Sequence, residues 1–159
     1  MFALIFGLSF LANAQDAKSN QPKGYQFTDI KRLPATSVKD QARAGTCWSW
    51  SGISFFESEM IRMGKEPIDL SAMYIVRHAY SDKATKFVRL HGSMNFAVGG
   101  AFCDVMHVIK NYGIVPMDVY KGLNYGEPNH AFGEIDDVLA GYVNAVIKNS
   151  NKKLSTAWK

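Results

Sequence analysis

The chain has few cysteines and no large excess of charge of either sign. Only two of its 159 residues are cysteine, Cys47 and Cys103, which excludes a disulfide-rich scaffold and a four-cysteine zinc site. The net charge is +4 and the basic residues are scattered, so we expect no nucleic-acid partner. No cluster of His, Cys and Asp has the spacing of metal ligands, and we expect no metal and no other cofactor.

The remaining composition is that of one folded domain. Hydrophobic residues make up 47% of the chain and aromatic residues 13%. A chain of this length forms one domain and buries roughly two thirds of the surface that it exposes when unfolded. Strand patterns are scarce and no internal repeat is visible, so we predict a mainly α-helical domain.

The N-terminus carries a short apolar run without charge. Residues 2–12 end in the pattern Ala12-Asn13-Ala14, which is typical of a secretory signal peptide. The run is too short to span a membrane, which takes about 20 residues. We expect a signal peptide over 1–14, export to the periplasm or the extracellular space, and no membrane association after cleavage. No Lys or Arg precedes the run, so the charged start that is usual in a signal peptide is missing. The alternative interpretation of 2–12 is a buried core segment.

A polar lead-in over 15–32 precedes the domain, which we place at 33–159. Apolar spacing predicts four helices there. The first runs from Cys47 to Met63, and its apolar residues cover most of its circumference, which is typical of a central helix packed on several sides. The second begins at Ser71 as N-cap, and 81–98 is ambiguous. The third ends at Gly113 and the fourth spans about 134–148. Their apolar faces contain Phe102, Val105, Met106, Ile109 and Tyr112, and Ile135, Val138, Leu139, Tyr142, Val143, Val146 and Ile147 respectively.

One constellation is suited to nucleophilic chemistry. Cys47 begins the predicted first helix, where free N–H groups and the positive end of the helix dipole favour a thiolate, which is the nucleophilic form. Acyl transfer also needs donors for the developing oxyanion. The N–H of Cys47 is one candidate and the side-chain amide of Gln41 is the other, while Gly45 allows the turn between them and leaves room for substrate.

The alternative is an inert cysteine in a helical core, which is common in aromatic-rich segments. We expect this role for Cys103, which lies inside the third predicted helix beside its apolar face. Among the four histidines, His78 and His107 fall in predicted helices, His91 precedes a glycine, and His130 lies in a Gly/Pro loop that leaves it the freest to move.

The segment around Cys47 resembles the active-site segment of papain-like cysteine peptidases. The resemblance rests on Thr36–Gln41 followed by Gly45–Trp48, and it extends over about 33–120. Leu70-Ser71 resembles the start of that fold's second helix, and Gly99-Gly100 resembles the glycine pair that lines its cleft. Ala44 replaces a cysteine that forms a disulfide in many secreted members. That change and Tyr112–Pro116 resemble the bleomycin hydrolase and aminopeptidase C branch.

The resemblance implies a cysteine peptidase acting on peptide or protein substrates. By it, Cys47 is the nucleophile, Gln41 is the oxyanion-hole donor, and Gly45, Trp48, Gly99 and Gly100 contact substrate. The fold implied is the helical domain of the papain-like α+β fold. The family's base is a histidine oriented by an asparagine, both on a second, β-rich domain about 130–150 residues beyond the cysteine, which is past Lys159.

We therefore expect an incomplete peptidase that is inactive alone, because no histidine here matches the motif of the base. Its exposed apolar surface would meet the missing β-rich half or a second copy of itself. A non-catalytic module that binds peptides or a partner is the alternative, and a plain helical domain with an inert cysteine is the third interpretation.

Overall fold

The computed structural model describes residues 24–25, 27–149, 153–155 and 158. The described residues before Leu33 and those from Leu33 onward belong to two separate compact units. In the first unit the side chains of Tyr25, Phe27 and Ile30 are almost fully exposed. The predicted signal peptide over 1–14 lies outside the described residues, so its cleavage stays a prediction.

The second unit is built from helices, as predicted. Its four helices are α1 Cys47–Arg62, α2 Ala72–Arg89, α3 Phe102–Tyr112 and α4 Gly133–Ile147. The described residues contain no strand, only two isolated bridges that join Arg43 to Ala131 and Leu70 to Pro116. The mainly helical architecture is therefore confirmed.

Helix α1 packs against both α2 and α3, and it carries the centre of the core. Trp48 and Ile53 are buried on its inner side, whereas the side chain of Phe55 is 51% exposed. Within the described residues two helices pack against α1, and Trp50, Phe56 and Met60 pack against the core as well. The prediction of a helix packed on several sides is therefore confirmed except at Phe55.

Helix α2 is longer than its apolar pattern alone indicates. Ser71 caps it, since the N–H of Tyr74 donates to the Ser71 hydroxyl at 3.0 Å, as predicted. The ambiguous stretch from 81 continues the helix to Arg89, because Phe87 and Val88 extend the buried side of α2 by one more turn. Helix α2 contacts the three other helices.

The buried faces of α3 and α4 are narrower than the apolar patterns suggest. On α3 only Val105 and Val108 are buried, while Phe102, Met106 and Tyr112 are 42–48% exposed. Helices α1 and α2 cover one arc of α3, and that arc is centred on Val105 and Val108 rather than on the whole apolar set.

Helix α4 meets one other helix, α2, in the described part of the chain. Its only buried residue is Val143, and Ile135, Val138 and Tyr142 are 47–64% exposed. These three residues follow helical spacing and form an uncovered apolar stripe. We call it the α4 stripe.

Candidate active site

A tight loop leads the chain into α1. Gly45 has a φ of +63°, a conformation that costs glycine little, and a Cβ there would lie 3.3 Å from Val98. Thr46 follows and is fully buried. Its hydroxyl accepts a hydrogen bond from the indole N–H of Trp50 at 3.1 Å. The loop is therefore fixed to the helix that it starts.

Cys47 is the first residue of α1, and its side chain is exposed. In the described structure the main-chain N–H of Cys47 has no hydrogen-bond partner, because the first N–H groups of a helix have no helical carbonyl one turn before them. An unpaired N–H at the positive end of a helix is a suitable donor for a developing oxyanion. The sulfur and this N–H belong to the same exposed residue.

Gln41 begins the turn that precedes this loop. The N–H of Ala44 donates to the Gln41 carbonyl at 3.2 Å, and the N–H of Ala42 donates to the Asp40 carboxylate at 2.7 Å. Gln41 is half-buried, and none of the described residues forms a hydrogen bond with its side-chain amide. That amide remains available to a ligand.

The same turn is held from the other side by the segment that precedes α4. The N–H of Arg43 donates to the carbonyl of His130 at 3.0 Å, and the N–H of Phe132 donates to the carbonyl of Arg43 at 3.3 Å. The ring of His130 packs edge-on against Trp50, with ring centres 5.5 Å apart. The expectation that His130 moves freely is wrong: the residue is 9% exposed, because its loop closes over Trp50.

The glycine pair lies beside the nucleophile loop. Gly99 and Gly100 are both exposed, and a Cβ on Gly100 would lie 2.5 Å from the indole of Trp48. The indole N–H of Trp48 donates to the carbonyl of Val98 at 3.0 Å. The residue after Cys47 is thus the surface on which the glycine pair rests.

Three of the four histidines make contacts away from Cys47. His78 stacks on Tyr112 and touches Tyr74, and burial lowers its pKa. His107 lies 3.0 Å from the Asp82 carboxylate. His130 has a pKa lowered by burial, and its Nδ1 is buried without a partner. In the described part of the chain, no histidine hydrogen-bonds to the Cys47 sulfur.

Cys103 is exposed, contrary to the expectation of a core residue. It is the second residue of α3, where the helix has only begun and its neighbour Phe102 also faces outward. The apolar spacing of α3 gave no sign of this, because exposure there depends on the arc that α1 and α2 leave uncovered.

A buried carboxylate joins the site's approach segment to the core. Glu57 of α1 is 1% exposed and accepts hydrogen bonds from the Thr36 hydroxyl, from the Lys39 ammonium at 2.7 Å and from the Leu70 N–H at 2.7 Å. Lys39 also pairs with Asp69 at 2.8 Å. Burial alone would lower the pKa of Lys39, but the two carboxylates raise it overall. The segment that leads to Gln41 is thereby tied to the helix that carries Cys47.

Sequence reasoning missed Glu57 and a second charged residue, Lys83, although both left a signal. Each occupies a position that helical spacing assigns to the buried side: Glu57 is one turn after Ile53, and Lys83 is one turn after Ala79. A charge on the buried face of a helix needs a partner, and here both have one.

Two cavities lie away from Cys47 and do not extend this site. One, of about 370 Å³, lies between α4 and Leu154, Ser155 and Trp158, and the other, of about 340 Å³, lies between α2 and α3. In the described residues no group of three His, Cys, Asp or Glu side chains is placed to hold a metal ion. None of the described helices has the length and hydropathy of a membrane span.

Comparison with known proteins agrees with this geometry. Residues 22–153 match the family described as papain family cysteine protease. The chain belongs to the papain family of cysteine proteases. The helical fold is the one expected of the N-terminal domain in that family.

A curated relative, described as cathepsin B-like CP2 of Giardia intestinalis, is 28% identical over 92 residues. The alignment covers 52% of this chain and 31% of that protein. The papain-family chain described here therefore spans less than a third of the length of that relative.

Proposed function

We propose that this chain carries the nucleophile and one wall of the substrate cleft of a thiol peptidase. The observation that supports this best is Cys47 itself: its sulfur is exposed at the first turn of α1, beside its own unpaired N–H. In the proposed reaction the Cys47 thiolate attacks the carbonyl carbon of a peptide bond. The N–H of Cys47 and the amide of Gln41 donate to the oxyanion that forms.

The substrate is held by the loop and the glycine pair. Gly45 allows the tight turn before the sulfur, and Trp48 supports Gly100, whose exposed main chain pairs with the main chain of the peptide beside Gly99. Main-chain hydrogen bonds form with peptides of many sequences. These residues therefore fix the direction in which the peptide binds and select little among its side chains.

The general base comes from outside the helical body. His78, His107 and His130 are engaged in other contacts. Without a base, nothing takes the proton of the Cys47 thiol or returns one to the leaving amine. We therefore expect this chain alone to hydrolyse peptides at a negligible rate. Steady hydrolysis of a peptide substrate by the purified chain, lost in Cys47→Ser, would contradict this.

The finer assignment follows the resemblance. We propose the bleomycin hydrolase and aminopeptidase C branch, because Ala44 stands where secreted members carry a cysteine and Tyr112–Pro116 has that branch's form. The aminopeptidase activity of that branch and export by a signal peptide belong to the same proposal.

A partner-binding module is the second candidate, and the α4 stripe favours it. Ile135, Val138 and Tyr142 leave an apolar surface uncovered, as does Phe55 on α1. We propose that a β-rich half or a second copy of the chain covers these residues. Val138→Lys, which places a charge in the stripe, would prevent self-association measured by analytical ultracentrifugation.

A peptide aldehyde tests the proposed site without needing a base. The Cys47 sulfur forms a bond to the aldehyde carbon, the C=O π bond breaks, and the thiol proton ends on the resulting oxygen. We expect a hemithioacetal, detected by NMR with a carbonyl-labelled peptide aldehyde. It should vanish in Cys47→Ser and persist in the matched control Cys103→Ser.

Gln41→Ala should weaken aldehyde binding by roughly twofold to tenfold, which is the loss expected for one hydrogen bond to a neutral hydroxyl. A hemithioacetal that forms equally well on Cys103, or that is indifferent to Gln41, would refute the proposed roles.

A further inference from the structure

Lys83 is a cation on the buried side of α2. Helical spacing places it one turn after Ala79 and one turn before Phe87, and both of these side chains are buried. No carboxylate forms an ion pair with Lys83 among the described residues. Burial accordingly lowers its pKa, although the more distant charges of Asp104 and Asp136 oppose that effect. A charge in this position requires other stabilising contacts.

Two of those contacts are made with Gly99 and Trp48 of the cleft wall. The Lys83 ammonium donates a hydrogen bond to the carbonyl of Gly99. It also lies 5.3 Å from the centre of the Trp48 ring and 5.8 Å from that of Tyr80, distances at which a cation is attracted to an aromatic face. Lys83 therefore joins α2 both to the glycine pair and to the residue that follows Cys47.

The effect on the main chain is specific. The carbonyl of Val98 accepts from Trp48, and the next carbonyl, that of Gly99, accepts from Lys83. Both are turned toward the body of the domain. The N–H and C=O of Gly100 make no hydrogen bond to any described residue, and Gly100 is exposed. One residue is thus left with both main-chain groups available to an extended peptide.

We propose that Lys83 is a positioning residue, which fixes the Gly99 carbonyl and the Trp48 indole so that Gly100 presents its main chain to the peptide. The proposal rests on the proposed function of Cys47 and the glycine pair. It adds that recognition of the peptide main chain depends on a side chain that never touches the peptide.

Two reagents with the same reactive group separate peptide recognition from the chemistry at Cys47. One is a dipeptide with a chloromethyl ketone at its carboxyl end, and the other is chloroacetone, which lacks the peptide. In both, the Cys47 sulfur bonds to the methylene carbon, chloride leaves, and the thiol proton passes to solvent. The concentration of dipeptide reagent that gives half the maximal rate of Cys47 alkylation, KI, reports peptide binding. The alkylation rate with chloroacetone reports the reactivity of the sulfur.

We expect Lys83→Met to raise KI for the dipeptide reagent at least about fivefold, the loss expected for one hydrogen bond, and to leave the chloroacetone rate unchanged. The matched control is Lys86→Met, an exposed lysine on the same helix, which should behave as the wild type. Far-ultraviolet circular dichroism and thermal unfolding check that each variant folds.

Lys83→Arg replaces Lys83→Met in the same measurement if the methionine variant does not fold. It keeps the charge, but its planar guanidinium cannot donate from the same point as the ammonium, so KI should also rise about fivefold or more. A KI within about twofold of the wild type in a folded Lys83 variant would overturn the proposal for Lys83 and leave the proposed function of Cys47 standing. If the wild type shows no preference for the dipeptide over chloroacetone, the proposed function fails, and this proposal fails with it.

Discussion

Replacing Glu57 by glutamine removes one charge from the core and keeps its volume. In the native protein the Glu57 carboxylate accepts three hydrogen bonds, from Thr36, Lys39 and Leu70, and its side chain is fully buried. Glutamine has only one acceptor oxygen. Its NH₂ group would face donors that now hydrogen-bond to the carboxylate, so at least one of them would lose its acceptor. The Lys39 ammonium, itself largely buried, loses one of its two carboxylate partners.

Removing one partner of a buried ion pair costs about 3–5 kcal/mol. Lys39 retains Asp69 at 2.8 Å, which places the expected cost at the low end, near 3 kcal/mol. For a domain of this size that loss lowers the melting temperature by roughly 10 °C.

Thermal and urea unfolding followed by circular dichroism measure this loss. Glu59→Gln is the matched control, since Glu59 lies on the same helix and pairs with Arg62 at the surface. Screening by water leaves little for that exposed pair to contribute. The reasoning would be refuted if the two variants lost equal stability. Combining Glu57→Gln with Lys39→Met should cost less than the sum of the single changes.

Three further predictions concern other parts of the domain. Because burial lowers the pKa of His130, the unfolded chain binds a proton there first, so stability should fall as pH drops below about 6.5; calorimetry of His130→Leu should show a shallower fall, and an unchanged slope would contradict this. Gly100→Ala puts a Cβ 2.5 Å from the Trp48 indole, so it should displace the cleft wall and slow the dipeptide reagent far more than chloroacetone; equal rates would argue against a role for this contact. Tyr80→Phe removes a hydrogen bond to the Asp136 carboxylate at 2.5 Å, and urea unfolding should show a loss of about 1–2 kcal/mol; no loss would mean that this bond does not join α2 to α4.

The sequence predicted where helices begin and end better than which sides they bury. Gly113 with a φ of +81° ends α3 as expected, and α1 begins at Cys47 as expected, since caps and helix-ending residues act locally. The exposed sides of α3 and α4 could not be predicted, because the buried arc of a helix depends on which neighbours reach it. The α4 stripe has the same local pattern as a core-facing helix.

The candidate site divides in the same way. The nucleophile loop could be predicted because Gln41, Gly45 and Cys47 lie within seven consecutive residues whose chemistry is local. The supports of that loop come from distant parts of the chain: the segment around His130 pairs with Arg43, and Lys83 reaches Gly99. Such contacts depend on how the helices pack. Their only sign in the sequence is a charged residue at a position that helical spacing assigns to the core.

The most direct test of the central claim compares the two cysteines of one molecule. Both Cys47 and Cys103 are exposed, so access alone does not separate them, and each serves as the control for the other. Labelling with iodoacetamide at about pH 6 is followed residue by residue with peptide mass spectrometry, because only a thiolate reacts at an appreciable rate there. The account predicts alkylation at Cys47 several times faster than at Cys103. Equal rates, or a faster Cys103, would contradict it.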